Sequence, residues 1–324
     1  MRIVFDVTPL ALPRTGIGNY LRGALAGLAE AAAGEHEIVA LAVTGPRGLR
    51  AVPAAIDGIP VERAIRFLPL ARAWRTVWSR LGWPPLERLV GRFDAFCFSD
   101  WWYPPQRAGV RATVVHDLIP LRFPELVDSR TRRLHAAKYR AVPGCDVVFV
   151  NSEFTAQEVE EVLGVPRDRI RVVHPGVDPI FSPDGGDRGY VLALGGDARK
   201  NLAVLRDLPL ELVVPSRYVG DRELADLYRG AAVFAYPSRY EGFGIPIVEA
   251  MASGVPVVAS SHPSLDEASG GVALRADPDR PEEWTAAVER ALAERDELVR
   301  RGLEHAQAFT WAAMGRRLLE GLAP

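Results

Sequence analysis

The feature that most constrains the fold is a repeated alternation of short, continuous apolar runs with longer stretches of helical pattern. In the first half of the chain the apolar runs lie at residues 3–7, 37–43, 94–98, 112–116 and 147–151. Helical patterns lie between them, for example at 18–33 and 129–142. Runs that are apolar throughout are typical of parallel strands buried on both faces by helices. The sequence therefore predicts βαβ units of the α/β class.

The alternation stops at a turn-rich segment, residues 182–189, and then begins again. The second set of predicted strands is 190–194, 211–214, 233–236, 256–259 and 272–274, with helices at about 223–229, 245–252 and 282–295. We therefore predict two doubly wound α/β domains, residues 1–183 and 184–308, joined by the turn-rich linker. A final helix within residues 309–324, with Thr310 as its N-cap, is expected to pack back on the first domain.

Composition excludes several classes of protein. The net charge of −2 over 324 residues provides no basic field for a nucleic-acid partner. The two cysteines, Cys97 and Cys145, are too few for a disulfide framework and are expected to be buried thiols in a reducing cytosol. The first residues read as a strand and not as a signal peptide, and no run of about 18 apolar residues occurs. We expect a cytoplasmic protein, with peripheral contact at the inner face of the membrane.

That membrane expectation comes from residues 63–92, which contain seven arginines together with Trp74, Trp78 and Trp83. Trp74 and Trp78 are four residues apart, so they share a face if the segment is helical. Two interpretations remain open. The segment is either a helical insertion whose tryptophans pack on the domain, or a basic, aromatic surface for an anionic membrane or a lipid-linked acceptor.

The segment from Tyr236 to Glu249 carries the strongest chemical signal. A buried strand ends at Tyr236, a loop with Glu241 and a Gly-Phe-Gly turn follows, and a helix begins near Ile245 with Pro246 in its first turn. The amides of Phe243, Gly244 and Ile245 would then lie at a helix N-terminus, at the carboxyl end of a parallel strand. That position suits an anion or a hydroxyl group.

With the flanking Glu-Gly-Phe-Gly-Ile-Pro and Ala-Ser-Gly-Val-Pro-Val-Val sequences, the pair Glu241 and Glu249 resembles the E-x7-E segment of family-4 retaining glycosyltransferases. The resemblance implies a GT-B fold, in which two Rossmann-like domains face each other across a cleft. It implies that Glu241 and the three amides hold the hydroxyls of the transferred sugar. It also implies that Glu249 accepts hydrogen bonds from the ribose of the donor nucleotide.

Other segments agree with that family in the order it requires. Thr15-Gly-Ile-Gly-Asn-Tyr20 resembles its glycine loop, so Gly16 and Gly18 are expected to approach the donor diphosphate. His116 ends a predicted strand, and the resemblance implies that it contacts the transferred sugar. His116 and Glu241 are thus the expected catalytic residues, although a histidine at a strand end is commonly structural.

In the second domain, Leu194-Gly-Gly-Asp-Ala-Arg-Lys-Asn-Leu202 resembles the family's phosphate-binding loop, which assigns the leaving diphosphate to Arg199 and Lys200. Lys138 and Lys200 are the only lysines in the chain. A basic pair at a helix start opposes the helix dipole unless an anion binds there.

The chain departs from the family pattern between residues 201 and 221. That stretch is short for a full strand–helix–strand passage, so we expect a shortened second sheet. Arg217 and Tyr218 match the region that frames the nucleobase, and Tyr218 is a predicted donor contact.

The resemblance implies a retaining hexosyltransferase that uses a GDP- or UDP-linked sugar, with mannose as one candidate, and a saccharide or lipid-linked acceptor. The expected pathway is bacterial polysaccharide or glycolipid assembly. No cofactor or metal is expected, since the histidines lack ligand spacing and Asp277-Pro-Asp279 reads as a turn before a helix.

Two alternatives remain open. The shortened second domain would suit a non-catalytic sugar-nucleotide binding subunit of the same fold. A GT-B epimerase or phosphorylase is the other, and the phosphorylase would need a lysine linked to pyridoxal phosphate.

Overall fold

The computed structural model describes residues 1–12, 16–99, 102–184, 186, 189–217 and 219–323. These residues form two compact units. The N-terminal unit comprises Met1–Gly176 and Trp311–Pro324, and the C-terminal unit comprises Val177–Thr310. Each is an α/β fold built on a parallel sheet.

The strands of the N-terminal unit are β1 (Arg2–Asp6), β2 (Glu37–Thr44), β3 (Glu62–Phe67), β4 (Ala95–Phe98), β5 (Val110–Val115), β6 (Val147–Val150) and β7 (Ile170–Val172). Those of the C-terminal unit are β8 (Tyr190–Leu192), β9 (Leu212–Val213), β10 (Ala231–Tyr236), β11 (Val257–Ser260) and β12 (Leu274–Ala276). In chain order, the first helices are α1 (Gly16–Ala31), α2 (Gly48–Ala55), α3 (Ala71–Leu81), α4 (Glu87–Val90), α5 (Ile119–Arg122), α6 (Ser129–Ala141) and α7 (Glu153–Leu163). The remaining helices are α8 (Asp221–Gly230), α9 (Ile245–Ala252), α10 (Asp266–Ser269), α11 (Pro281–Ala293), α12 (Arg295–Ala306) and α13 (Trp311–Leu322).

The sheet of the N-terminal unit has the order β3-β2-β1-β4-β5-β6-β7, and its strands pair in parallel. Separate apolar clusters cover its two faces. Helices α1 and α13 belong to one face and lie close together, because a Cβ added at Gly27 would stand 1.9 Å from the Trp311 carbonyl oxygen. The last helix of the chain therefore completes the core of the first unit.

The sheet of the C-terminal unit has the order β12-β11-β10-β8-β9, also parallel. Helices cover both of its faces over two apolar clusters. The chain adds β9 on one side of β8 and then returns to place β10 on the other. The carboxyl ends of β8 and β10 therefore form a topological switch point, which is where open α/β sheets bind ligands.

The unit boundaries differ from the predicted domains 1–183 and 184–308. The division falls at residue 176 because the segment that follows is bonded to the C-terminal unit. The Val177 N–H donates to the Phe309 carbonyl, and Arg229 donates to the carbonyls of Ile180 and Ser182. Phe309 itself packs on Phe243, so the part of the C-terminus that joins the first unit begins at residue 311 and not at 309.

The second sheet is shortened, as predicted. Among the described residues between 201 and 220, the structure has one 3₁₀ turn, Leu202–Leu205, and the two-residue strand β9 at the sheet edge. The loop then leads into α8, whose N-cap is Gly220.

The predicted helical insertion at residues 63–92 is only partly helical, because its first residues form the edge strand β3. In the helix that follows, the Trp78 ring lies 5.7 Å from that of the buried Trp102, whereas Trp74 is 52% exposed. Trp83 is 61% exposed. Packing on the domain therefore applies to Trp78 and not to Trp74 or Trp83.

Candidate active site

The charged residues of the C-terminal unit meet at its switch point. Arg199 and Lys200 lie in a single 3₁₀ turn after β8, and Glu241 lies in the loop after β10. Asp197 caps the turn by accepting from the Arg199 N–H at 2.9 Å. The Arg239 N–H donates to the Arg199 carbonyl at 3.0 Å, so the two loops are joined through their backbones.

One oxygen of Glu241 is the centre of this cluster. Its Oε1 accepts from Lys200 Nζ at 2.7 Å, from Arg199 Nη1 at 2.7 Å and from Ser238 Oγ at 2.5 Å. Lys200 Nζ also donates to Tyr236 Oη at 2.7 Å. An ammonium group has three protons, so one N–H of Lys200 remains for a ligand. Glu241 Oε2 makes no hydrogen bond to any residue that the structure describes.

The charges of the cluster sustain each other. The Arg199 side chain is 8% exposed and that of Glu241 is 13% exposed. Burial alone would raise the pKa of Glu241, but the nearby Lys200 and Arg199 outweigh burial and hold this pKa below its usual range. The predicted phosphate-binding pair therefore has Glu241 as a shared counter-ion, a contact that the sequence analysis did not foresee.

The amides predicted to face a ligand lie at the start of α9. Gly244 is the N-cap with φ 100°, a left-handed conformation that favours glycine. A Cβ there would also approach the Leu265 side chain to 2.8 Å. The N–H groups of Gly244 and Ile245 have no acceptor among the described residues. Phe243 is buried against Phe309 and holds the turn in place.

Glu249 lies one turn into α9 and contacts a different group. Its Oε2 accepts from the Tyr228 hydroxyl of α8 at 3.2 Å. Burial raises the pKa of Glu249 to about 7; the Tyr228 hydrogen bond lowers it, and Asp221 and Asp178 add to the rise. The two carboxylates of the E-x7-E segment therefore differ, since Glu241 is held ionised by cations and Glu249 titrates near neutral pH.

In the N-terminal unit, His116 follows β5 and Asn151 follows β6, so both lie at the carboxyl edge of the sheet. Asn151 Nδ2 lies 3.5 Å from His116 Nδ1, and the Tyr20 ring meets the imidazole edge-on at 4.6 Å between centroids. His116 Nε2, Asn151 Oδ1 and the Tyr20 hydroxyl are buried atoms without a hydrogen-bond partner in the described part of the chain. Buried polar groups in proteins are nearly always hydrogen-bonded, so these three atoms are available to a polar ligand or to water.

The electrostatic surroundings keep His116 neutral. Burial lowers the pKa of His116 to about 3, and the positive charge of Lys138 adds to the effect. Lys138 is itself buried and donates to the carbonyls of Ser99 and Val114 at 2.8 and 2.7 Å. This lysine therefore joins the ends of β4 and β5 beneath the histidine.

The remaining predicted contacts are placed as follows. Gly16 and Gly18 lie in the first turn of α1, and a Cβ at Gly16 would meet nothing within 4 Å. Tyr218 lies outside the described residues, and its neighbour Arg217 forms an exposed ion pair with Glu223 at 2.9 Å.

The described residues contain neither a candidate metal site nor a candidate membrane span. They contain no cluster of three or more His, Cys, Asp or Glu side chains that could hold a metal ion. Asp277 accepts from the Asp279 N–H in a turn before α11, as its sequence indicated. None of the described helices is both long and apolar enough to cross a bilayer.

Comparison with known proteins decides the family. Residues 15–181, more than half of the chain, match the family model described as Glycosyltransferase Family 4. Residues 182–294 match the model described as Glycosyl transferases group 1. The chain belongs to glycosyltransferase family 4.

Relatives of this glycosyltransferase agree with that assignment. It is 28% identical to the O-antigen chain mannosyltransferase B of Escherichia coli, over 96% of each chain. Sucrose-phosphate synthase from Thermosynechococcus elongatus has the same fold, with a TM-score of 0.67, 18% identity and coverage of 98% and 97% of the two chains. The Anabaena protein HepE, solved in complex with UDP-glucose, has a TM-score of 0.65 with 15% identity over 99% and 98% of the chains. The predicted GT-B fold is thereby confirmed.

Sequence reasoning missed the residues that support the predicted site. Ser238, Tyr228 and Asn151 bond directly to Glu241, Glu249 and His116. A usable signal existed for Ser238 and Asn151, because each is a polar residue just after an apolar strand. Tyr228 gave no signal, since a tyrosine in an amphipathic helix ordinarily belongs to the core.

Proposed function

We propose that this glycosyltransferase transfers a hexose from a nucleotide diphosphate to a hydroxyl acceptor, with retention of anomeric configuration and without a metal ion. The observation that carries the proposal is the cluster of Lys200, Arg199 and Glu241 at the switch point of the C-terminal unit, together with the amides of Gly244 and Ile245 at the start of α9, which have no acceptor among the described residues. Glu241 and Asp197 balance the two cations of the cluster, and the remaining ammonium N–H of Lys200 and the two amides are suitable donors to a diphosphate.

In the proposed reaction, the acceptor oxygen attacks the anomeric carbon from the side on which the diphosphate departs. The bond between the anomeric carbon and the phosphate oxygen breaks, and the proton of the acceptor hydroxyl passes to the released diphosphate. Lys200, Arg199 and the amides stabilise the charge that develops on the leaving group. Glu241 Oε2 and neutral His116 hold sugar hydroxyls. The three donors on Glu241 Oε1 make that carboxylate a poor nucleophile, which favours this front-face path over a covalent intermediate.

We propose mannose as the sugar, carried by GDP or UDP, and a saccharide or lipid-linked acceptor in bacterial polysaccharide assembly. The similarity to an O-antigen chain mannosyltransferase over nearly the whole chain supports this choice. A non-catalytic sugar-nucleotide binding subunit is not favoured, since the basic pair, Glu241 and His116 are present after strand ends and Glu249 is present in α9.

The test is a ligand panel followed by turnover. A ligand that binds only the folded state of a protein stabilises it by about 2.7 kcal/mol when the ligand concentration is about 100 times its Kd. We expect GDP or UDP, and the corresponding mannose donor, to raise the Tm, and we expect anomer-retaining transfer in the presence of a chelator. Binding without turnover on any saccharide or lipid-linked acceptor would instead support the non-catalytic subunit. No response to any nucleotide contradicts both.

We further propose that the surface formed by residues 67–83 rests on an anionic membrane. Six large apolar side chains there are strongly exposed: Phe67, Leu70, Trp74, Val77, Leu81 and Trp83. The arginines Arg66, Arg80 and Arg88, within or next to this segment, are also exposed, and the Arg88 guanidinium lies 5.7 Å from the Trp83 ring centre. Exposed apolar side chains in a segment with exposed cations suit the boundary between acyl chains and anionic headgroups, where each cation contributes about 1 kcal/mol.

Vesicle co-sedimentation tests the membrane proposal. The protein should bind vesicles of phosphatidylglycerol and phosphatidylcholine and should not bind phosphatidylcholine alone. The double variant Trp74→Ala, Trp83→Ala and the single variant Arg80→Glu should lose binding. Arg300→Glu, on the C-terminal unit, is the control of equal charge change. Equal binding of the wild type to neutral vesicles, or equal loss in the control, would refute the proposal.

A further inference from the structure

We propose that Tyr228 is a positioning residue for donor recognition. Its hydroxyl holds the Glu249 carboxylate in the orientation and charge state that accept hydrogen bonds from the two hydroxyls of a nucleotide ribose. This inference rests on the proposed function, in which Glu249 binds the donor ribose, and it assigns a role to a residue on a different helix.

The Tyr228 ring is fixed by its neighbours. It is fully buried, and it meets Phe181 and Phe234 edge-to-face at 5.8 and 5.2 Å between ring centroids. A ring held on two sides cannot rotate away, so its hydroxyl is delivered to one point. That point is Glu249 Oε2, 3.2 Å away.

The geometry leaves the ligand-binding capacity of Glu249 intact. Tyr228 uses one lone pair of Oε2, and Glu249 Oε1 forms no hydrogen bond to any described residue. A carboxylate fixed through one oxygen can still accept from both hydroxyls of a vicinal diol. A free side chain would have to lose its rotational freedom when the donor binds.

The charged groups around Glu249 explain why a neutral hydrogen-bond donor, the Tyr228 hydroxyl, is needed beside its carboxylate. The groups that shift the pKa of Glu249 are Tyr228 and Asp221 from α8 and Asp178 from the segment before β8. The charge of Glu249 in turn contributes to the raised pKa of Tyr236 in β10. Burial and the two aspartates raise the pKa of Glu249, and the Tyr228 hydrogen bond opposes that rise. Without Tyr228, more of Glu249 would be protonated at neutral pH and would lose part of its capacity to accept.

The experiment measures the Kd of UDP or GDP, whichever binds the wild type, by calorimetry across about pH 6 to 9. The variants are Tyr228→Phe, Glu249→Gln and the double variant. Tyr190→Phe is the matched control, because the Tyr190 hydroxyl donates to a backbone carbonyl, that of Leu227, at 2.7 Å in the same unit. A circular dichroism melt accompanies each variant.

We expect Tyr228→Phe to weaken nucleotide binding about tenfold at neutral pH, the typical effect of losing a hydrogen bond to a charged group. The difference from wild type should narrow toward alkaline pH, where Glu249 is ionised in both proteins. In turnover assays KM for the donor should rise more than kcat falls. The double variant should bind no more weakly than Glu249→Gln, and Tyr190→Phe should bind as the wild type does.

Three results would overturn the inference. Equal Kd values for Tyr228→Phe and wild type at every pH would remove Tyr228 from recognition while leaving the proposed function in place. Additive losses in the double variant would show that Tyr228 acts independently of Glu249. A wild type that binds none of the nucleotides would overturn the proposed function and this inference together.

Discussion

The carboxyl edges of the two sheets in this glycosyltransferase hold polar groups in opposite ways. In the C-terminal unit, the edge carries full charges that neutralise one another, with Lys200 and Arg199 on one oxygen of Glu241. In the N-terminal unit, the edge carries neutral groups, such as His116 Nε2, that have no hydrogen-bond partner in the part of the chain that the structure describes. The comparison shows two ways to prepare a strand edge for a ligand. Buried charged groups at a strand edge stay ionised because they pair with opposite charges. Buried neutral groups stay uncharged because burial disfavours their charged form.

The largest expected effect comes from breaking the charged edge. Lys200→Ala should lower sugar transfer by about 10³-fold, the scale of losing a preorganised charge at a developing anion. Glu241 would still accept from Arg199 and Ser238, so the fold should persist and the Tm should change little. Arg300→Ala, which removes an exposed ion pair with Glu297, is the control and should retain full turnover. Unchanged turnover of Lys200→Ala would exclude Lys200 from the phosphate site.

Breaking the neutral edge should cost less. His116→Gln should lower transfer by about 30-fold, since one neutral hydrogen bond to the sugar is worth about 2 kcal/mol when its partner is left buried. Because the pKa of His116 is lowered to about 3, its imidazole should show no titration by NMR between about pH 5 and 8. A His116 titration within that range would contradict the neutral edge.

The same residue makes a prediction about acid stability. The folded pKa of His116 lies below the ordinary value near 6.5, so the unfolded chain binds the proton more tightly. Stability should therefore be lost as pH falls from about 6.5 toward 3, and His116→Gln should lose less of it. Urea unfolding at several pH values measures this difference. Parallel curves for the two proteins would contradict the lowered pKa.

Glu249 should produce the opposite trend. Its folded pKa is raised to about 7, so the folded chain holds the proton more tightly than the unfolded chain. Its contribution to the free energy of unfolding is present at low pH and is lost as pH rises from about 4.5 through 7. Glu249→Gln should lack this loss, which urea titrations at about pH 5 and 8 would measure. An equal loss in both proteins would mean that Glu249 is ionised throughout.

The smallest expected effect tests whether Glu241 stays in place when one of its three hydrogen-bond donors is removed. Ser238→Ala removes one of three donors to Glu241 Oε1 and leaves both cations in place. We expect a loss of about 1 kcal/mol in stability and less than about fivefold in turnover. A loss as large as that of Lys200→Ala would show that the serine, and not the charge pairing, fixes Glu241.

Sequence reasoning was most accurate where the residues of a segment determine its structure locally. Helix α9 was predicted at residues 245–252 and is observed at Ile245–Ala252, because Gly244 permits the left-handed N-cap and Pro246 suits the first turn. It failed at the sheet edges. Strand β3 was missed because most of its residues are exposed, and the strand is defined by its pairing with β2. The predicted helix at 282–295 is observed as α11, and the sequence analysis missed the separate helix α12 that begins after Glu294.

By itself, the sequence determined the α/β class, the two parallel sheets and the strand ends at which Lys200, Glu241 and His116 stand. Apolar periodicity and the residues at turns are local properties, so a single chain displays them. Only the tertiary structure decided which groups bond to one another. Lys200 meets Glu241 from 41 residues away, and Tyr228 meets Glu249 from 21. Such partners are chosen by which strands and helices become neighbours, and their pKa values follow from the burial and charge that only packing creates.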